Sequence, residues 1–328
     1  MADLASRSFE SVPFARGSIS FRLYPHNELP AGEVVAELCG QAGVAFTAGF
    51  DGVMTSEHHG GFAGYLPNPL QMVAFILDDH PQGWAAACPL LLPLRPTAMV
   101  AEEVAWLGAR HPGRVGLGVA AGALPLDFET MGVPVDSAPA LFASELPRIV
   151  DMLRGQDLRQ LGGDPALGSC ARHPIPVLSA AVSTTAAQRA ARCGAGILLE
   201  GMSPVERLAR VTGAYDEAGG AAPKVIIRRV WLGELPTELV DRQREIYDSY
   251  AGSTSMFGDD QTVHGPDPVG VAEQLVDVAC RSGADALNLR VHLPGMSPVA
   301  VRHQILMLGT EVLPAVRALW SERRSAAS

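Results

Sequence analysis

Asp51-Gly52-Val53-Met54-Thr55-Ser56-Glu57-His58-His59-Gly60-Gly61-Phe62-Ala63-Gly64-Tyr65-Leu66-Pro67-Asn68-Pro69 runs from an apolar strand through a polar, glycine-rich turn into a helix. Asp51–Thr55 reads as the strand, and the helix follows from Pro69 to about Asp78. The same alternation extends in both directions. Upstream lie a strand at Ser18–Leu23 and a helix from about Ala31 to Ala42. Downstream come the strand Trp84–Leu92, a helix opening after Pro96, the strand Arg114–Val119 and a helix at Leu141–Leu153. The second half repeats the pattern. It has strands at Ile175–Ala180, Gly196–Glu200, Lys224–Trp231 and Ala284–Val291, with helices at Thr184–Cys193, Val205–Glu217, Thr237–Tyr250 and Val299–Leu319. Strands alternating with helices are the signature of parallel βαβ units, and buried parallel strands read as continuous apolar runs. Eight such pairs predict an α/β fold of the (β/α)8 TIM-barrel type, with residues 1–328 forming one domain. Two stretches without a helical or strand pattern, about 122–138 and 251–267, are expected to be loop insertions.

Composition narrows the function classes. The chain has 328 residues, of which 48% are hydrophobic, and 25 basic against 35 acidic side chains give a net charge of −10. Such a surface repels phosphate backbones and anionic lipid, so neither nucleic acid nor membrane is expected as a partner. The five cysteines (Cys39, Cys88, Cys170, Cys193, Cys280) are scattered, with no CxxC pair. Neither a disulfide framework nor a metal site is expected. The N-terminus lacks a continuous apolar core of the secretory kind, and the longest apolar runs are too short to span a bilayer. The expected location is cytoplasmic.

Polar, titratable residues at the C-terminal end of a barrel strand lie where such folds place their chemistry. His58 and His59 therefore read in two ways, as strand caps bonded to the next loop or as groups for proton transfer near neutral pH. Gly60-Gly61 is expected to leave room for a ring or substrate to approach. Arg228 and Arg229 are consecutive on a strand, so one should enter the barrel. Arg290 and His292 end the last strand, and His264 falls in the long loop. Each of Arg228, Arg290, His292, His264 and His59 is a candidate for contact with substrate or phosphate, or else a rim ion-pair partner. Ser183-Thr184-Thr185 follows a strand and opens a helix, which makes either an ordinary N-cap or an anion site. Asp127 and Glu129 read as solvated loop residues.

Taken together, these segments resemble the bacterial-luciferase family. The resemblance rests on Glu57-His58-His59 with Asn68-Pro69, on Pro93-Leu94-Arg95-Pro96 with Ala101-Glu102-Glu103, and on His111–Val119. It continues through Ser179–Thr185 with Ala190–Gly194, and through Gly265–Leu275 with Ser282–Leu289. Five matches in the right order span about Ser18 to Leu319. The resemblance implies that His58 sits over the reactive face of a flavin and assists proton transfer. It implies a cis peptide at Cys88-Pro89 against the flavin ring, where proline makes cis cheap. It also implies a phosphate-binding turn formed by Ala180, Ala181, Ser183 and Thr184. Ala120 and Ala121 stand where the luciferase alpha chain has a cysteine and a phosphate-gripping arginine, and no second arginine appears near Ala138. Losing a bidentate arginine weakens phosphate binding.

Three readings follow. The first is a two-component monooxygenase using reduced FMN and O2 on an apolar organic substrate, with a separate flavin reductase and a homodimeric state. The second is an F420-dependent oxidoreductase transferring hydride. The third is a non-catalytic, flavin-binding or degenerate relative.

Overall fold

The computed structural model describes residues 12–62, 64–251 and 261–327. In chain order the elements are β1 (Ile19–Arg22), α1 (Ala31–Ala48), β2 (Gly52–Thr55), α2 (Pro69–Asp79), β3 (Trp84–Leu91), α3 (Thr97–Arg110) and β4 (Val115–Ala120). Then follow α4 (Pro125–Met131), α5 (Ala138–Met152), α6 (Pro165–Ser169), β5 (Val177–Ala180), α7 (Thr184–Arg192), β6 (Gly196–Leu199), α8 (Val205–Glu217) and β7 (Lys224–Leu232). The chain closes with α9 (Thr237–Ala251), β8 (Val263–Gly265), α10 (Pro268–Ser282), β9 (Ala286–Arg290), α11 (Pro298–Met307) and α12 (Leu313–Ala327).

Eight of these strands close into a parallel ring, β1-β2-β3-β4-β5-β6-β7-β9 and back to β1. The expected (β/α)8 TIM barrel is present. The short β8 lies outside the ring and pairs with the far end of β7, Val230 opposite Val263.

Strand alternation sorts the side chains into two shells. Ile19, Phe21, Val53, Leu117, Ile226 and Leu287 face outward and pack under the helices in the main core. Met54, Trp84, Ala86, Cys88, Leu178, Leu198, Val225 and Ala286 face inward, and Phe14 joins them from the segment before β1. Phe14 meets the Trp84 ring edge-on at 5.2 Å, sealing the N-terminal end of the barrel. The packing there demands glycine at the start of β2, because a Cβ on Gly52 would lie 2.1 Å from the Trp84 indole. One end is thus a dry plug, and polar inward-facing residues are left to the other.

The structure differs from the sequence reading in its connections. The stretch 122–138 is not a bare loop. It contains α4, opened by Pro125 and stopped by Gly132 at φ +69°, and seven residues are too few to show a helical period. The sequence reading places no element at α10, although Asp267 caps it through Val269 and Gly270, Pro268 begins it and Gly283 ends it in the left-handed region. Of the other expected loop, residues 252–260 lie outside the described residues, and the remainder belongs to α9, β8 and the turn before α10.

Candidate active site

β2 delivers Ser56, Glu57 and His58 to the C-terminal rim, and the loop after them is pinned back onto the strand. The His58 N–H donates to the Leu66 carbonyl at 3.1 Å, and the Leu66 N–H donates to the Ser56 carbonyl at 3.3 Å. The His58 ring is held at 2.8 Å, Nδ1 to Oδ2 of Asp127 in α4, while Asp127 Oδ1 accepts the His59 N–H at 2.6 Å. Asp127 is only 1% exposed. An ionised carboxylate can only accept, so the proton of a neutral His58 belongs on Nδ1 and Nε2 is left for proton exchange. Asp127 is therefore no solvated loop residue. It lies 69 positions from His58 in sequence, and nothing but the folded barrel brings the two together. Of the expected room at Gly60-Gly61, Gly61 has it, since a Cβ there would meet nothing within 4 Å, and Gly60 does not. A Cβ on Gly60 would lie 2.7 Å from Leu126, so the glycine admits α4 and lets Asp127 reach the histidine.

Glu57 has a different task. It accepts the Leu91 N–H at 2.6 Å, pairs with Arg95 at 2.5 Å and takes the His59 ring at 3.0 Å. Its side chain is fully buried. This hub ties the end of β2 to the end of β3 and turns His59 away from the mouth. Beside it, the Cys88–Pro89 peptide is cis, as expected. Burial pushes the Cys88 thiol up to about 12, overriding the opposing effect of Arg22, so the sulfur is a neutral wall of the site.

The opposite arc of the mouth is cationic. Arg22 on β1, Arg229 on β7 and Arg290 on β9 are all at least nine-tenths buried. Arg22 donates from Nε to Asn288 Oδ1 at 2.7 Å, and Asn288 is itself anchored on Ser20 at 2.9 Å. Arg290 reaches the Tyr24 hydroxyl at 3.4 Å, and Arg229 is bonded to Gln243. Burial opposes ionisation of Tyr24. The charges of Arg290, Arg22 and Arg229, with the Arg290 hydrogen bond, outweigh it and hold the phenol below its ordinary range. His292 stacks on Tyr24 with centroids 5.7 Å apart and meets His26 edge-on at 4.8 Å. Burial first, then His26 and Arg229, push its imidazole down to about 3, so His292 is neutral at working pH. Tyr65 joins the two arcs, 5.4 Å from Tyr24 and 4.4 Å from the His58 ring.

Of the consecutive pair on β7, Arg229 is the one that enters. Arg228 shares the outward phase of Ile226 and Val230 and bonds the carbonyls of Gly201 and Gln261. It lines a surface cleft with Val205, Glu273 and Asp277. His264 is exposed on β8, where it lies opposite Trp231 in the ladder and its carbonyl accepts from Gln274 at 3.3 Å. Among the described residues no group of three or more His, Cys, Asp or Glu gathers as for a metal. None of the described helices is long and apolar enough to cross a membrane.

The luciferase-like monooxygenase family model matches residues 18–283, most of the chain. The chain belongs to the luciferase-like monooxygenase family. An uncharacterized protein of Mycobacterium tuberculosis is 33% identical over 146 residues, 41% of this chain and 49% of its own length. The chain thus spans about half the length of that curated relative. Solved structures share the fold at low identity. The monooxygenase RslO1 of Streptomyces bottropensis has a TM-score of 0.73 at 20% identity, covering 90% of this chain and 99% of its own. The oxygenating constituent of 3,6-diketocamphane monooxygenase from Pseudomonas putida, a type II Baeyer–Villiger enzyme in complex with FMN, gives 0.72 at 18%, covering 92% and 99%. An F420-dependent secondary alcohol dehydrogenase with an F420–acetone adduct gives 0.70 at 16%, covering 91% and 98%.

Two of these neighbours hold FMN and F420, and the residues at this mouth can be tested against a flavin. The ring end fits. Ser56 Oγ is buried without a partner behind His58, Arg22 offers a buried cation, and Ala120, Ala121 and Ala180 are small and lie at the β4 and β5 ends of the rim. The phosphate end offers mostly neutral donors, with one cation at its edge, Arg207 of α8, which donates to the Val182 carbonyl at 3.4 Å. Ser183 Oγ is spent on its own helix, accepting the Ala186 N–H at 3.2 Å, while Thr184 is exposed at the first position of α7. Ala181 is buried beneath them and Ala138 is buried at the start of α5, so neither supplies charge.

Proposed function

We propose that this protein is a two-component flavin monooxygenase, using reduced FMN and O2 on an organic substrate with an apolar body. Reduced flavin supplies the electrons for O2, and His58 acts on protons beside it. The observation that carries the reading is the His58–Asp127 pair at 2.8 Å on the rim. The buried carboxylate fixes the tautomer and steadies a cationic imidazole, so Nε2 can release and take back a proton without the ring turning. Phe62, Tyr65 and Tyr24 form an aromatic flank along that histidine, suited to an apolar substrate body and to keeping water off the reacting face. Cys88 and Pro89 would back the ring, with Ala120, Ala121, Ala180, Ala181, Ser183 and Thr184 along the cofactor's tail. Weak phosphate recognition agrees with a flavin that arrives reduced from a separate reductase and leaves again. A homodimer working in the cytoplasm completes the proposal.

The second reading, hydride transfer with F420, is favoured by the fold shared with the F420-dependent alcohol dehydrogenase and by the same histidine. One experiment separates the two. The protein is offered photoreduced FMN and 18O2 with a panel of ketones, and in parallel F420 with secondary alcohols under argon. Labelled oxygen in the organic product is expected. F420 reduction under argon with no labelled product in air would replace the first reading by the second.

A further inference from the structure

We propose that the mouth contains a seat for a delocalised organic anion, built by Arg22 and Asn288 with the Tyr24–Arg290 pair beside them. The seat rests on the flavin-dependent reading only for what fills it. Two sources share its chemistry, the anionic edge of a reduced flavin ring and a carboxylate on the substrate.

Arg22 is 2% exposed, and its hydrogen-bond partners are neutral: Asn288 at 2.7 Å from Nε, the Met54 sulfur at 3.9 Å from Nη2, and the Cys88 thiol, while its charge also acts on the Tyr24 phenol. A buried guanidinium without a counter-charge is costly, and buried charges are ordinarily paired. The described carboxylates near the mouth are engaged elsewhere. Asp127 serves His58 and the His59 N–H, and Glu57 serves Arg95, His59 and the Leu91 N–H. Glu200 accepts the N–H groups of Met202 and Ser203, and Glu28 stands half in solvent beside His26. Nor is Arg22 loose. Ser20 orients Asn288 and Asn288 orients Arg22, so the cation is held in place without being neutralised. A planar fork fixed this way matches a two-atom oxyanion or the N–C–O edge of an anionic ring. The depressed Tyr24 phenol reports the same positive field from a second position.

If Arg22 were mere filler, replacing it with an apolar side chain of similar length would be neutral or stabilising and would change no binding. The test uses Arg22→Met, with Arg22→Gln as a second neutral variant and Arg22→Lys as the charge-keeping one. Affinities are measured anaerobically for oxidised and reduced FMN by fluorescence, and for benzoate and its neutral counterpart benzamide by calorimetry. Wild type is expected to favour the anionic member of at least one pair, and the neutral variants to lose about tenfold to a hundredfold of that preference. Arg22→Lys should keep most of it, and thermal stability of the free variants should be unchanged or higher. A falling ratio of reduced to oxidised FMN affinity assigns the seat to the flavin. A lost benzoate preference with that ratio unchanged assigns it to the substrate. If wild type binds no flavin, the proposed activity fails while the benzoate pair still decides the seat. Neutral variants that leave both ratios at wild-type values overturn the proposal.

Discussion

The two arcs of the barrel mouth handle buried charge in opposite ways. On the β2–β4 side each carboxylate is matched: Asp127 by His58 and a backbone N–H, Glu57 by Arg95, His59 and a second N–H. On the β1–β9 side Arg22 is fixed by an amide and a thioether, which position it but cancel nothing. The first arc is complete before any ligand arrives and is built to hold one histidine in one tautomer. The second leaves its electrostatics to be completed by what binds. The lesson is that a satisfied network marks machinery for positioning, and a satisfied but uncompensated cation marks a place for a partner.

The contrast is sharpest in stability. Glu57→Ala removes one member of a buried pair and strands Arg95 and the Leu91 N–H, so a loss of roughly 3–5 kcal/mol is expected in urea unfolding. A loss below about 1 kcal/mol would show that the hub is not what ties β2 to β3.

His58→Ala is expected to act above all on rate. Turnover should fall roughly 10²-fold, equivalent to about 2.7 kcal/mol of activation energy, while buried Asp127, left with the His59 N–H, costs about 1–3 kcal/mol of stability. A scaffold histidine would cost the same stability but leave the folded enzyme at full speed. Asp127→Asn should lower the rate in the same direction, since the amide no longer steadies a cationic imidazole.

Acid should act through the arginine arc. His292 binds a proton only near pH 3 in the fold, against about 6.5 when unfolded. Between those values the unfolded state holds the extra proton, so stability is lost as pH falls, by at most about 1.4 kcal/mol per pH unit. His292→Phe should flatten the melting-temperature profile between pH 6.5 and 4. A profile unchanged by the substitution would place that acid sensitivity elsewhere. The smallest effect is spectroscopic. One tyrosine should show phenolate absorbance below the ordinary pKa of about 10, and Tyr24→Phe should remove that component.

Much of this was legible in the sequence, and the limits have physical causes. Alternating apolar runs and glycine-rich turns specify the barrel, and His58 stands out because it follows a strand. Asp127 escaped because its meaning comes from a partner on another strand, and α4 is too short to announce itself. Arg22 escaped because Ser18–Leu23 reads as a strand without revealing which phase faces inward. The same ambiguity chose Arg228 over Arg229, since Val225, Ile226 and Ile227 are apolar on both faces. α10 was a different kind of miss, for its caps at Asp267 and Gly283 were there to be read.

The central claim is that this mouth takes a reduced flavin between a histidine arc and an arginine arc. Its most direct test is an anaerobic titration of the purified protein with reduced FMN and with F420, followed by fluorescence and calorimetry. Saturable one-to-one binding of reduced FMN, retained in His58→Ala, is the predicted result. Binding of F420 alone would change the cofactor, and binding of neither would contradict the account.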